Sequence, residues 1–205
     1  EPNRQCIGAR LSLIRGERAC LFADLNSAEN FANAAAVLFE LASEQVGVGD
    51  AKWLLASIWH ERGDTRRRDA CLESAIIDYR LAGDVVRMDA CMARLLERAA
   101  FRDPGAAGAR LAQLFTPENT YPPLVTVWIA SALAIVARLT GDSATSISFF
   151  LQAQQAAQET GQIRKAILAT SNGPDAFAGL GYLDDGRERT EHAWCLGLRG
   201  AWAAR

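Results

Sequence analysis

Residues 53–84 read WLLASIWHERGDTRRRDACLESAIIDYRLAGD. Apolar residues at helical spacing lead up to Gly63-Asp64, resume after it, and stop again at Gly83. The same punctuation returns 78 residues later at Gly141-Asp142 and Gly161. At that one offset Leu55-Ala56 aligns with Leu133-Ala134, Ile58 with Val136, Leu72 with Phe150 and Ala75 with Ala153. Half the offset, 39 residues, is close to one helix-turn-helix unit with its connection, so a further hairpin is expected between the two clear ones.

Working outward, turns are predicted at Asp24 to Ser27, Arg62 to Asp64, Arg102 to Gly105, Thr140 to Asp142 and Asp184 to Gly186. Connections between hairpins fall near Gly47 to Asp50, Gly83-Asp84, Pro117 to Pro123 and Gly161, where Gly, Pro, Asp or Asn ends a helix or starts a turn. The expected fold is all-α: about five antiparallel helical hairpins spanning approximately 3–47, 50–82, 84–116, 122–160 and 162–204, in one repeat domain over 1–205. In the first hairpin the stripe Phe31, Ala35, Leu38, Ala42 and Val46, with Val37 and Leu41 beside it, predicts a helix from Ala28 to Gly47. Leu124 to Leu139 is apolar nearly all round, and no stretch alternates with the period of a strand. Asp64, Asp84 and Asp142 stand where helix N-caps belong, and Asp103-Pro104 places a cap before a first-turn proline. Thr116 to Pro123 reads either as a tolerated surface insertion or as a contact loop.

Half of the 205 residues are hydrophobic, ample for a continuous core. The net charge of −2 and pI near 5.8 do not point to a nucleic-acid or anionic-membrane partner. No apolar run approaches the ~18 residues a membrane helix needs, and the start does not resemble a signal peptide, so the expected location is cytoplasmic. The chain starts at Glu1 and ends in a helix-like Gly200 to Arg205 with no stop signal, which reads as a piece of a longer, multidomain protein. Cys6, Cys20, Cys71, Cys91 and Cys195 are odd in number and lack a CxxC pair, the pattern of free thiols; only Cys71 and Cys91 flank a turn closely enough for a disulfide to be considered.

These residues resemble the tetratricopeptide repeat family. Trp53, Leu55-Ala56 and Trp59 precede Gly63-Asp64, with Leu72 and Ala75 after it; Leu133-Ala134 precede Gly141-Asp142, with Phe150 and Ala153 after it. Arg68 and Ser146 stand where that family usually has alanine, and no proline closes the units. The pitch near forty resembles the elongated repeats of bacterial regulators, among them maltose-activator-like transcription factors, peptide-sensing quorum regulators and segments preceding diguanylate cyclase or kinase modules. The resemblance implies a right-handed α-solenoid whose first helices line a concave face that binds a protein, a peptide or a small effector. Carried onto this chain, that face comprises Trp53, Ser57 and His60 in one unit and Trp128, Ser131, Ile135 and Arg138 in the other. An indole, hydroxyl and cation mixture suits a peptide, while tryptophan at helical spacing also suits packing between hairpins.

Catalytic patterns are sparse. His60 and His192 have no partner at metal-binding spacing, and Gly179-Leu-Gly181 with Gly173 lacks the strand and the Gly-Lys-Ser/Thr ending of a phosphate loop. No metal, no cofactor and no active site is expected in this segment. Arg66-Arg67-Arg68 with Arg62 places cations at a helix N-terminus against the dipole; either Asp64 and Asp69 offset them on a solvated face, or the edge docks an acidic partner or phosphate. The expected function is a non-catalytic sensory or regulatory scaffold of a bacterial signalling protein, its output domain a cyclase, kinase or DNA-binding module elsewhere. The alternatives are an oligomerisation element, with Trp194, Leu198 and Trp202 as a homodimer stripe, or an accessory subunit of an enzyme complex.

Overall fold

A computed structural model describes residues 2–162 apart from 117, together with 165–170, 172, 188 and 191. The described residues are helical with no strand. The helices are α1 (Pro2–Leu21), α2 (Leu25–Leu41), α3 (Gln45–Glu61), α4 (Thr65–Leu81), α5 (Val85–Ala100), α6 (Pro104–Leu114), α7 (Pro123–Leu139) and α8 (Ser143–Glu159); 165–170 is helical as well. The chain divides into two compact units, Glu1–Met92 and Ala93–Arg205.

In the first unit the turns recur every twenty residues. Ala23, Ser43, Gly63 and Gly83 all adopt positive φ, 60°, 54°, 76° and 72°. The next residue in each case is an acidic N-cap. Asp24, Glu44 and Asp64 accept from the amides of Ser27, Gly47 and Arg67 at 3.1, 2.7 and 3.0 Å, and Asp84 accepts from Arg87 at 3.0 Å. The left-handed residue closes one helix and the carboxylate opens the next, satisfying amides that a helix terminus otherwise leaves unpaired. α2, α3 and α4 are each 17 residues long as a result.

The first connection is therefore Ala42 to Glu44, not Gly47 to Asp50 as the glycines suggest. Gly47, Val48 and Gly49 lie buried in the first turns of α3. Their glycines serve packing: a Cβ at Gly47 would come within 2.3 Å of the Phe39 ring, and one at Gly49 within 2.6 Å of the Tyr79 ring. The predicted α2 stripe is also displaced. Its buried face is Ala28, Ala32, Ala35 and Phe39, while Val37 and Leu41 are 55% and 63% exposed. Small residues win this face because α1 and α3 both pack on α2 and alanine permits close helix approach. One core joins Ala9, Ala35, Phe39, Val48 and Ala51; another joins Cys20, Ala28, Ala32, Leu54 and Ile58.

In the second unit α7 packs on both α6 and α8. Asp103 and Asp142 cap α6 and α8, accepting from Ala106 and Thr145 at 2.9 and 3.0 Å, as the sequence leads one to expect. Gly141 and Gly161 take positive φ. Ala134, Ile135 and Phe150 form a core with Ala100 and Ala107. Between α6 and α7, Phe115 meets the Tyr121 ring edge-on at 5.5 Å, and the Tyr121 hydroxyl accepts from the Thr116 amide at 3.0 Å. The predicted turn at Asp184 to Gly186 and the second helix of the last hairpin lie outside the described residues.

Arg68 and Ser146, which align at the 78-residue offset, both turn inward and find hydrogen-bond partners. Ser146, fully buried, donates its hydroxyl to the Ala134 carbonyl at 2.9 Å. Arg68, 3% exposed, turns its guanidinium onto Asp69, with Nε 2.8 Å from Oδ1. Cys6, Cys20, Cys71 and Cys91 form no disulfide, and burial pushes the Cys71 thiol up in pKa.

Candidate functional site

α3 carries three of the predicted groove residues. Trp53 and Ser57 are half-buried and His60 is exposed in the last turn. Ser57 donates back to the Trp53 carbonyl at 3.2 Å, a local bond common for helical serine. Trp53 and His60 stand seven positions, about two turns, apart on this helix with Ser57 between them.

A polar network surrounds the start of the same helix. Tyr79 donates its hydroxyl to Asp50 at 2.8 Å, and Arg87 Nε approaches Asp50 at 3.1 Å while its Nη1 bonds Asp84 at 2.6 Å. Burial raises the Asp50 pKa, opposed by the Tyr79 hydrogen bond and by Arg87. The Tyr79 hydroxyl is pushed up too, first by burial and then by the Asp50 charge. Glu17 of α1 is raised chiefly by burial, with Asp50 adding to it. On the neighbouring turn Asp78, 5% exposed, accepts from Gln45 Nε2 at 2.8 Å and pairs with Lys52 Nζ at 2.5 Å. Apart from the Arg87–Asp84 contact, three positions apart, the partners in this network lie 26 to 37 positions away, so spacing in the sequence does not connect them.

The arginine cluster is split by the fold. Arg62 reaches back to α2, bonding Glu29 Oε2 at 2.5 Å and Asn26 Oδ1 at 2.8 Å. Arg62 and Arg67 both lie over the Trp59 ring, 4.7 and 4.5 Å from its centroid, a cation–π arrangement. Arg68 points into the core beside Asp69, which removes it from the proposed acidic-partner edge. Arg66 and Arg67 are exposed. The tie between Arg62 and Trp59 has a sequence signal in hindsight: they are three positions apart on the last turn of one helix.

In the second unit the predicted groove positions are packed inside. Trp128, Ser131 and Ile135 are 8%, 3% and 2% exposed, and Arg138 is half-buried. α7 is apolar nearly all round, so its first-helix face has no wide polar margin and closes against neighbours. Trp128 instead carries two cations: the Arg94 guanidinium 4.9 Å and Lys165 Nζ 4.2 Å from the ring centroid. Lys165 also pairs with Glu97. Burial lowers the Lys165 pKa, with Glu97 opposing the shift. This aromatic–cation cluster joins Arg94 and Glu97, one turn apart on α5, to Trp128 and Lys165, which are too distant in sequence to connect by spacing.

Trp194, Leu198 and Trp202 lie outside the described residues, as do His192 and Cys195. Among the described residues no group of three or more His, Cys, Asp or Glu could hold a metal ion, and no helix is long and apolar enough to cross a membrane. No protein-family model matches the chain, and no curated protein matches it.

Proposed function

We propose that this chain is a tetratricopeptide-like scaffold, a right-handed α-solenoid that binds a protein or peptide and does no chemistry itself. The observation that carries the reading is the twenty-residue recurrence of a left-handed residue followed by an acidic cap at 23–24, 43–44, 63–64 and 83–84, which generates equal helices stacked in order. Such stacks present one helix of each hairpin on a shared face, and on α3 that face offers Trp53, Ser57 and His60 to solvent. An indole and a titratable imidazole about two turns apart suit an extended peptide or a helix with a carboxylate near an apolar side chain. In the cell the scaffold serves as the cytoplasmic regulatory module of a bacterial signalling protein whose output domain lies elsewhere.

Photo-crosslinking tests this directly. A benzophenone side chain placed at 53 or 60 in the full-length protein, expressed in its native host, is expected to capture one discrete partner. The same group at Ile77, exposed on α4, is expected to capture none. Identical adducts at all three positions, or none at 53 and 60, overturn the reading.

A further inference from the structure

Glu17 of α1 is exposed, and among the described residues it makes neither an ion pair nor a hydrogen bond. Leu13, Ile14, Cys20 and Leu21 occupy the positions three and four away on its own helix, so no cation of α1 sits beside it at helical spacing. The carboxyl pKa is raised, first because packing around it displaces hydration and then by the charge of Asp50. Asp50 itself is engaged by Tyr79 and Arg87. A carboxylate in such a place is stabilised by a cation brought from outside.

Packing sets Glu17 beside the part of α3 that carries Trp53. Leu13, one turn earlier, packs against both cores of the first unit, the one with Val48 and Ala51 and the one with Leu54 and Ile58. Gly16, the residue before Glu17, lies so close to α3 that a Cβ there would come within 2.8 Å of Leu54. α1 and α3 end forty positions apart, at Leu21 and Glu61, so Glu17 stands level with Ser57. Asp50, Trp53, Ser57 and His60 fall within about a quarter of the α3 circumference, and the Asp50 charge felt at Glu17 puts the α1 carboxylate on that same side.

We propose that the binding face of α3 extends onto α1 through Glu17 and that its partner is a peptide segment presenting a lysine or arginine there, the cation lying between the Glu17 carboxylate and the Trp53 indole. This rests on the α3 face being the binding face. An anionic group at one end of that face and the His60 imidazole further along it also fix the direction of the peptide: its cation goes to Glu17 and its carboxylate to His60.

Selection from a phage-displayed library of random dodecapeptides tests this, with the full chain and its Glu17→Gln, Glu17→Lys and Trp53→Ala variants as baits and circular dichroism to confirm that each folds. Wild-type binders are expected to be enriched in Lys and Arg at one position, an enrichment that Glu17→Gln abolishes and Glu17→Lys replaces with Asp and Glu. A synthetic wild-type binder is expected to bind Glu17→Gln about fivefold or more weakly by fluorescence anisotropy and to lose affinity for the unaltered chain as salt rises. Trp53→Ala is expected to lose the binders altogether. Binders that fail on Trp53→Ala but carry the same residues with Glu, Gln or Lys at 17 overturn the role of Glu17 and leave the α3 face standing. Binders indifferent to Trp53→Ala, or no binders at all, overturn both.

Discussion

The Tyr79 hydroxyl hydrogen bonds to Asp50 at 2.8 Å while its ring lies over Gly49, the residue just before, so closely that a Cβ there would sit 2.6 Å from the ring. One aromatic side chain of α4 thus holds the first turns of α3 by shape and by charge together. It also explains why a glycine that looks like a turn residue sits inside a helix.

Tyr79→Phe keeps the shape and removes the bond. The expected cost is about 1.5–3 kcal/mol, because the acceptor is a partly buried carboxylate. The pH dependence follows from Asp50, whose folded pKa is raised by burial. A folded state that holds its proton more tightly is favoured most below the unfolded aspartate pKa, and that contribution is lost as pH rises through the raised folded value. Tyr79→Phe removes an influence that lowers this pKa, so the decline with pH is expected to extend further upward; Asp50→Asn is expected to remove it. Urea titrations at a series of pH values from about 4 upward check the ordering.

Ser43 and Ala23 pay for backbone conformations that glycine adopts freely, at φ 54° and 60°. Ser43→Gly and Ala23→Gly are therefore expected to stabilise the chain, each by up to about 1 kcal/mol, against the usual direction for glycine. Conversely Gly63→Ala, at φ 76° with open space around it, is expected to destabilise by about 1 kcal/mol from backbone strain alone. Thermal melts of the three variants show the signs.

Arg62 and Arg66 share a charge and flank the same turn but do not share a role. Arg62 bonds Glu29 and Asn26 and covers Trp59, so Arg62→Ala is expected to cost about 1–2 kcal/mol. Arg66 is exposed, and Arg66→Ala is expected to stay within about 0.5 kcal/mol. Equal effects in chemical denaturation would contradict the structural assignment of Arg62.

Lys165 and Glu97 form a pair with side chains only 11% and 17% exposed. Removing one partner strands the other, so Lys165→Met or Glu97→Gln alone is expected to cost about 3 kcal/mol. The double variant is expected to cost clearly less than the two summed, since no charge is left unpaired. Lys165 has its folded pKa lowered by burial; the unfolded chain then binds the extra proton between that value and the ordinary lysine pKa, so stability rises with pH across that window, and Lys165→Met is expected to remove that rise.

The helices, the absence of strand patterning and the turns at Gly63-Asp64, Gly83-Asp84, Asp103-Pro104 and Gly141-Asp142 were legible because helix ending and capping are local. A left-handed glycine and a carboxylate three residues before the amide it receives act within one turn of chain. That locality is also why the turn at Ser43-Glu44 escapes notice: its chemistry is the same, but serine bears the positive φ and glutamate the cap, while the conspicuous glycines nearby are held in α3 by Phe39 and Tyr79. Tertiary structure alone decided that Arg68, Trp128, Ser131 and Ile135 turn inward, that Arg62 serves α2, and that Asp50, Asp78 and Lys165 find partners 29, 33 and 68 residues away. Burial and charge pairing depend on what the rest of the chain brings alongside, and a residue's own neighbours in sequence carry no record of it.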